Sequence, residues 1–176
     1  MMKNMTLGLM AIVGVLTASA ADYEVSSPNG KVRVVVTAEK EAVKWSVNYD
    51  GKTVLLPSAI DIRLRQGSKT LGLGTVSKAT RKQMSSRFET PFYKKAVVTD
   101  DYGQLLLSTN RKMTIEVRAY DDGAAYRLTS NHTKPTLVTD EVAGYCFDGD
   151  YQAFVPYGND TRDDGDRFCY SFESYY

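Results

Sequence analysis

Apolar and polar residues alternate singly along most of this chain, and the apolar ones are largely β-branched or aromatic. Val43, Trp45, Val47 and Tyr49 are separated by Lys44, Ser46 and Asn48. Such a strand has one apolar and one wet face. Val32 to Thr37 reads as a strand after a Pro28-Asn29-Gly30 turn. Asp50-Gly51 reverses the chain into Thr53 to Leu56, with Pro57 expected to end that strand. Ile60, Ile62 and Leu64 alternate with Asp61, Arg63 and Arg65. Residues Gly67 to Arg87 are polar and read as a loop with one short strand. Lys94 to Thr99 and Gln104 to Ser108 read as two strands separated by Asp100 to Gly103. Met113 to Ala119 follows an Asn110-Arg111 turn. Asp121-Asp122-Gly123 then reads as a tight reversal into Tyr126 to Ser130, on residues that tolerate positive φ. Leu137 to Val142, Gly144 to Phe147 and Gln152 to Val155 are shorter strands. Many short strands without an amphipathic helix predict an all-β antiparallel sandwich.

The two ends depart from this pattern. Lys3, an apolar run from Met5 to Leu16, and Ala18-Ser19-Ala20 make residues 1–21 a secretory signal peptide cleaved after Ala20 or Ala21. The run is too short for a bilayer span, which needs about 20 residues. No Cys stands at the cleavage point to receive a lipid. The mature unit, residues 22–176, is one domain large enough for a core of its own. At the other end a polar, acidic loop, Tyr157 to Arg167, leads into Phe168-Cys169-Tyr170-Ser171-Phe172-Glu173-Ser174-Tyr175-Tyr176. Exposed aromatics at a chain end imply packing against something further, so the sequence is expected to be cut short.

Charge narrows the function. The chain has 22 basic and 21 acidic residues, and removal of Lys3 balances them. A neutral surface argues against nucleic acid and anionic membrane as partners. Cys146 and Cys169 either pair in an oxidising compartment or stay as two thiols. His132, the one histidine, lies in a loop and reads as a solvated residue. Carboxylates are the one abundant catalytic type, clustered at Asp100-Asp101, Asp121-Asp122, Asp140-Glu141, Asp148 with Asp150, and Asp160 to Asp166. Each cluster sits beside Gly or Asn at a strand end, so turn formation accounts for it. The Asn159 to Asp166 loop lacks the calcium-loop spacing, because Arg162 stands at a ligand position. Glu173, a lone acid among aromatics, needs a metal, an arginine or water as partner.

Several segments, taken in order, resemble the N-terminal domain of glycoside hydrolase family 97. They are Ser27-Pro28-Asn29-Gly30-Lys31, Trp45 to Lys52, Leu56-Pro57-Ser58, Asp121 to Arg127, and Asp140-Glu141 before Tyr145 and Phe147. The resemblance covers Asp22 to Tyr176. It implies an exported, periplasmic α-glucosidase or α-galactosidase whose N-terminal unit is a galactose-mutarotase-like super-sandwich. It also implies that the catalytic carboxylates, and most ligands of a calcium ion, lie on a (β/α)₈ barrel after this domain. One calcium ligand comes from the N-terminal domain, and Glu173 with Tyr176 matches that position. The chain is thus expected to assign no catalytic residue of its own, to be inactive alone, and to support a barrel that acts on α-linked glycosides. A free-standing carbohydrate-binding sandwich is the alternative. A mutarotase-like isomerase is disfavoured, because that proton transfer calls for a well-placed histidine.

Overall fold

Val34, Val36, Leu105, Leu107, Ile115 and Val117 are fully buried, and each lies on a strand whose intervening residues face outward. The computed structural model describes residues 20–40, 42–91, 94–156 and 173–175, and every regular element in them is a β-strand. The larger sheet contains β1 (Ala21–Ser26), β2 (Val32–Ala38), β3 (Val43–Tyr49), β4 (Lys52–Gln66), β5 (Lys69–Leu71) and β10 (Leu137–Ala143). Its order is β1-β2-β3-β4-β10, with β5 also on β4. The second sheet has β6 (Val76–Glu89), β7 (Val97–Thr109), β8 (Met113–Tyr120) and β9 (Gly123–Ser130), in that order. All pairs are antiparallel, as expected of a sandwich. The core between the sheets joins β2, β3 and β4 to β7 and β8. A short ribbon of β11 (Phe154–Pro156) and β12 (Glu173–Tyr175) sits apart from both sheets in the pairing.

Pro57 does not end its strand. Trp45 pairs with Ser58 and Val47 with Leu55, so Leu56 and Pro57 face the single Ser46. This is a β-bulge, where a missing N–H costs no ladder bond. The buried Ser58 hydroxyl mends the bulge: it donates to the Leu56 carbonyl at 2.7 Å and accepts the Cys146 amide at 2.9 Å.

The segment read as a loop, Gly67 to Arg87, contains β5 and most of the 14-residue β6. Residues 81–89 of β6 are exposed on both faces, so no apolar alternation marks them. Backbone pairing with β7 over Lys78 to Glu89 holds the strand instead. The turn expected at Asp100 to Gly103 is likewise absent, and β7 runs straight through it. Gly103 is needed there for closeness rather than reversal: a Cβ would lie 2.0 Å from the Ser26 carbonyl oxygen of β1.

Asp50 (φ 49°) and Gly51 (φ 79°) adopt the left-handed conformation of a tight hairpin. The β8–β9 hairpin does not, although Tyr120 pairs with Gly123 across a two-residue loop. Asp121 stays there for another reason: its carboxylate accepts the Asn29 amide at 2.9 Å. Gly144 to Phe147 shrinks to an isolated bridge between Leu56 and Cys146, and the strand expected at Gln152 to Val155 is found at Phe154–Pro156. Residues 1–19, the 157–172 segment with Cys169, and Tyr176 lie outside the described residues. So do the readings of the signal peptide's first 19 residues, the acidic loop, and most of the aromatic tail.

Candidate functional site

Beyond β9 the larger sheet continues as a shelf. On β10, Glu141 pairs with Ile62 and Ala143 with Ile60 of β4, so these residues share the face turned towards the core. No strand of the other sheet among the described residues covers them, because that sheet ends at β9. A groove follows. Its central part, about 580 Å³, lies among Trp45, Ile62, Tyr126, Leu128, Glu141 and Tyr145. One end opens between Tyr49, Val54, Asp122 and Phe147, and the other between Met113, Leu128, His132, Lys134 and Val138.

The floor is aromatic and fixed. Trp45 is buried, and its ring meets Tyr126 at 5.0 Å and Tyr145 at 5.9 Å, both edge-on. Its indole N–H donates to the Gly144 carbonyl at 3.4 Å. Burial pushes the Tyr126 phenol up to about 12, helped by Tyr145 and by the Glu141 carboxylate, so it stays protonated as a donor. The rim is apolar but wet: Val138, Tyr145 and Phe147 are each more than half exposed. His132 is half-buried rather than solvated. Gln66 meets its Nδ1 at 3.3 Å, while its buried Nε2 has no hydrogen-bond partner among the described residues.

The outer face of β8 and β9 carries the strongest electrostatic feature among the described residues. Glu116 is buried at mid-strand and accepts from Gln104 Nε2 at 2.9 Å, Arg118 Nε at 2.8 Å and Arg127. Burial alone would raise its pKa, but these three donors outweigh it and hold the carboxyl at about 2. Arg118 is raised further above its ordinary range by Tyr120 and Glu116, and lies 4.5 Å over the Tyr102 ring. A carboxylate so fully engaged acts as a fastener for β9, not as an acid or base.

Three of the carboxylates flagged in the sequence have structural contacts among the described residues, and Asp160 to Asp166 lie outside them. Asp121 ties the hairpin to the Pro28 turn. Asp140 faces Arg63 at 3.8 Å, and Asp148 accepts from Tyr151 at 2.6 Å. Among the described residues no group of three or more Asp, Glu, His or Cys is placed to hold a metal ion. Glu173 pairs along the backbone with Pro156 in the β11–β12 ribbon. Cys146 is an exposed thiol; its pairing with Cys169 lies outside the described residues. Sequence reasoning missed Glu116 and the Trp45–Tyr126–Tyr145 cluster. Glu116 was signalled by an acid between Ile115 and Val117 with Arg118 two places on, on one strand face.

The segments that carried the family resemblance are thus the fold's joints: Asn29 to Asp121, Ser58 to Cys146, and Trp45 to Gly144 and Tyr126. A family described as glycosyl-hydrolase 97 N-terminal matches residues 25–176. The chain belongs to this family. It is 31% identical to a retaining α-galactosidase of Bacteroides thetaiotaomicron over 179 aligned positions, which cover 99% of the chain and 27% of that relative. A family 97 enzyme from Pseudoalteromonas sp. strain K8, solved with acarbose, superposes with a TM-score of 0.64 at 16% identity. The match covers 77% of this chain and 22% of that one. A β-arabinopyranosidase gives 0.61 at 20% identity, over 72% and 21%. These last two likenesses, both under 25% identity, show the fold alone. The chain spans about a quarter of the length of the curated relative it matches.

Proposed function

We propose that this family 97 N-terminal domain is the non-catalytic unit of an exported α-glycosidase, an α-galactosidase or α-glucosidase of the periplasm. In that role it supports a catalytic barrel, helps shape its sugar pocket and donates Glu173 to a calcium ion. The observation that carries the reading is the family match over residues 25–176, in a chain that spans 27% of an α-galactosidase. The carboxylates support it, since those with described contacts serve as joints or in ion pairs.

Calcium takes about six to eight hard oxygen ligands. Glu173 suits that chemistry as one donor, and the other ligands would come from beyond the described residues. Bound calcium would supply a fixed positive charge beside the substrate. This chain's part would be to hold one carboxylate at the end of the β11–β12 ribbon.

Purified residues 22–176 are expected to release no nitrophenol from nitrophenyl α-galactoside or α-glucoside; measurable turnover would overturn the non-catalytic role. Calorimetry with calcium should show weak binding or none, and tight binding that survives Glu173→Gln would refute the metal assignment. The exposed rings of Tyr145 and Phe147 favour a second reading, a carbohydrate-binding sandwich. Calorimetric binding of maltose or galactose by the same sample would support it.

A further inference from the structure

We propose that Asn29 is a site of spontaneous deamidation, held in check by the folded β1–β2 turn and released when that turn opens.

The sequence supplies the chemistry. Asn29 is the one asparagine in the chain that is followed by glycine. A glycine has no side chain to hinder its own amide nitrogen, and nothing crowds the place where a Cβ of Gly30 would stand. The Gly30 N–H gives its proton to solvent, and the nitrogen attacks Cγ of Asn29. The new C–N bond closes a five-membered imide. The bond from Cγ to Nδ2 breaks, and Nδ2 takes a proton from solvent and leaves as ammonia. Water then adds at either imide carbonyl. One opening leaves an aspartate. The other routes the main chain through Cβ and Cγ, an isoaspartate.

The fold opposes the closing step. The ring forms only if rotation about the Cα–C bond of Asn29 brings the Gly30 nitrogen against Cγ. In the turn that nitrogen is committed elsewhere: its N–H donates to the Ser27 carbonyl at 2.9 Å, with Gly30 at φ 74°. The side chain is committed too. Oδ1 of Asn29 accepts the Ser27 hydroxyl at 2.8 Å and the Lys31 amide at 2.9 Å. Ser27 is buried, and its Oγ accepts the Val32 amide at 3.1 Å. From outside the turn, Asp121 of the β8–β9 hairpin holds the Asn29 amide at 2.9 Å. Both reacting groups are therefore freed by local opening of residues 27–32, and the rate follows the population of that open state.

The two products differ in what they leave of this joint. An aspartate keeps its oxygen where Ser27 and Lys31 donate, and as a charged acceptor it strengthens both bonds. An isoaspartate draws Cγ and its oxygen into the main chain and lengthens the turn by one atom. The Ser27 amide bond to the Val32 carbonyl and the Asn29 tie to Asp121 then lose their common register.

The test ages the full chain in mildly alkaline buffer, with and without urea. Peptide mass spectrometry follows residue 29, and isoaspartyl methyltransferase labelling separates the two products. Conversion is expected to be at least about 10-fold slower in the folded chain than in urea. Asp121→Ala, which removes an exposed fastener, should bring the folded rate towards the urea rate, and Ser27→Ala should bring it closer. The Asp121 variant suffices should Ser27→Ala not fold. Gly30→Ala should slow conversion in urea, where only crowding of the nitrogen counts. Asn29→Asp should keep the wild-type Tm, while the isolated isoaspartate form should have a lower one. Equal rates with and without urea, or a folded rate that Asp121→Ala leaves unchanged, would overturn the gating. No conversion at Asn29 in urea would overturn the site itself. An isoaspartate form with unaltered Tm would overturn the consequence for the joint.

Discussion

The two long sides of the sandwich are finished in opposite ways. On one side β1 lies against β7, and Gly103 admits the Ser26 carbonyl to a distance no side chain permits. Arg81 of β6 donates to the Glu24 carbonyl at 2.7 Å, and Gln83 to that of Ser26 at 3.5 Å. Lys78, Lys82 and Arg87 add positive charge along β6. Carbonyls capped by side chains on a basic edge accept no further strand. On the other side β9 has, among the described residues, no strand on its outer edge, which lies above an aromatic floor. The contrast is between an edge capped by side chains and, among the described residues, one whose outward backbone groups have no strand beside them.

The largest predicted effect comes from prising the closed side apart. Gly103→Ala puts a methyl group 2.0 Å from the Ser26 carbonyl oxygen, a backbone atom that can yield only if β1 moves. The expected loss is about 3 kcal/mol of unfolding free energy, measured by urea denaturation. Amides of β1 should exchange faster first, with those of β8 and β9 little changed. A loss below about 1 kcal/mol would show that β1 is loosely seated, and that the two sides differ less than the geometry states.

The open side has its own fastener at its back. Glu116 ties Arg127 of β9 to Arg118 of β8 and Gln104 of β7. Its carboxyl falls from 4.5 to about 2 on folding. A depressed acid stabilises the fold above its unfolded pKa and loses that contribution as pH drops through the folded one. The domain should therefore weaken between about pH 4.5 and pH 2. Allowing for solvent around the exposed Arg127, Glu116 contributes about 2 kcal/mol at neutral pH. Glu116→Gln should lose that amount at pH 7, with a flatter acid limb in Tm against pH. An unchanged acid limb would move the titration to other carboxylates.

What the sequence disclosed follows the same division. Strands with one face in the core, such as Val43–Tyr49, announce themselves because burial imposes a period of two. Residues 81–89 of β6 have neither face buried, so their pairing leaves no trace in hydropathy. Pro57 and Gly103 read as breakers, because a bulge and a close approach use the same residues as a turn. Tolerance of positive φ explains Gly51, but an amide 92 positions away explains Asp121. The groove was the least legible part. Its residues come from β3, β4, β9, β10 and Tyr145, and only the fold brings them together. Family resemblance reached the right architecture because the residues that carried it are the joints between those elements.

The smallest predicted effect asks which device closes the β1 side. Arg81 Nε and Gln83 Nε2 are exposed donors to backbone carbonyls, and one such bond stabilises by about 1 kcal/mol at most. Arg81→Ala should thus cost about 0.5 to 1 kcal/mol in urea, and Gln83→Ala, with its longer contact, less. Backbone packing at Gly103 should keep the sheet closed in the double variant, which would remain monomeric in analytical ultracentrifugation. Were the double variant to self-associate through β1, side-chain capping rather than close packing would be what keeps that edge from pairing. Among the described residues, the outer edge of β9 would then differ from it only in lacking such caps.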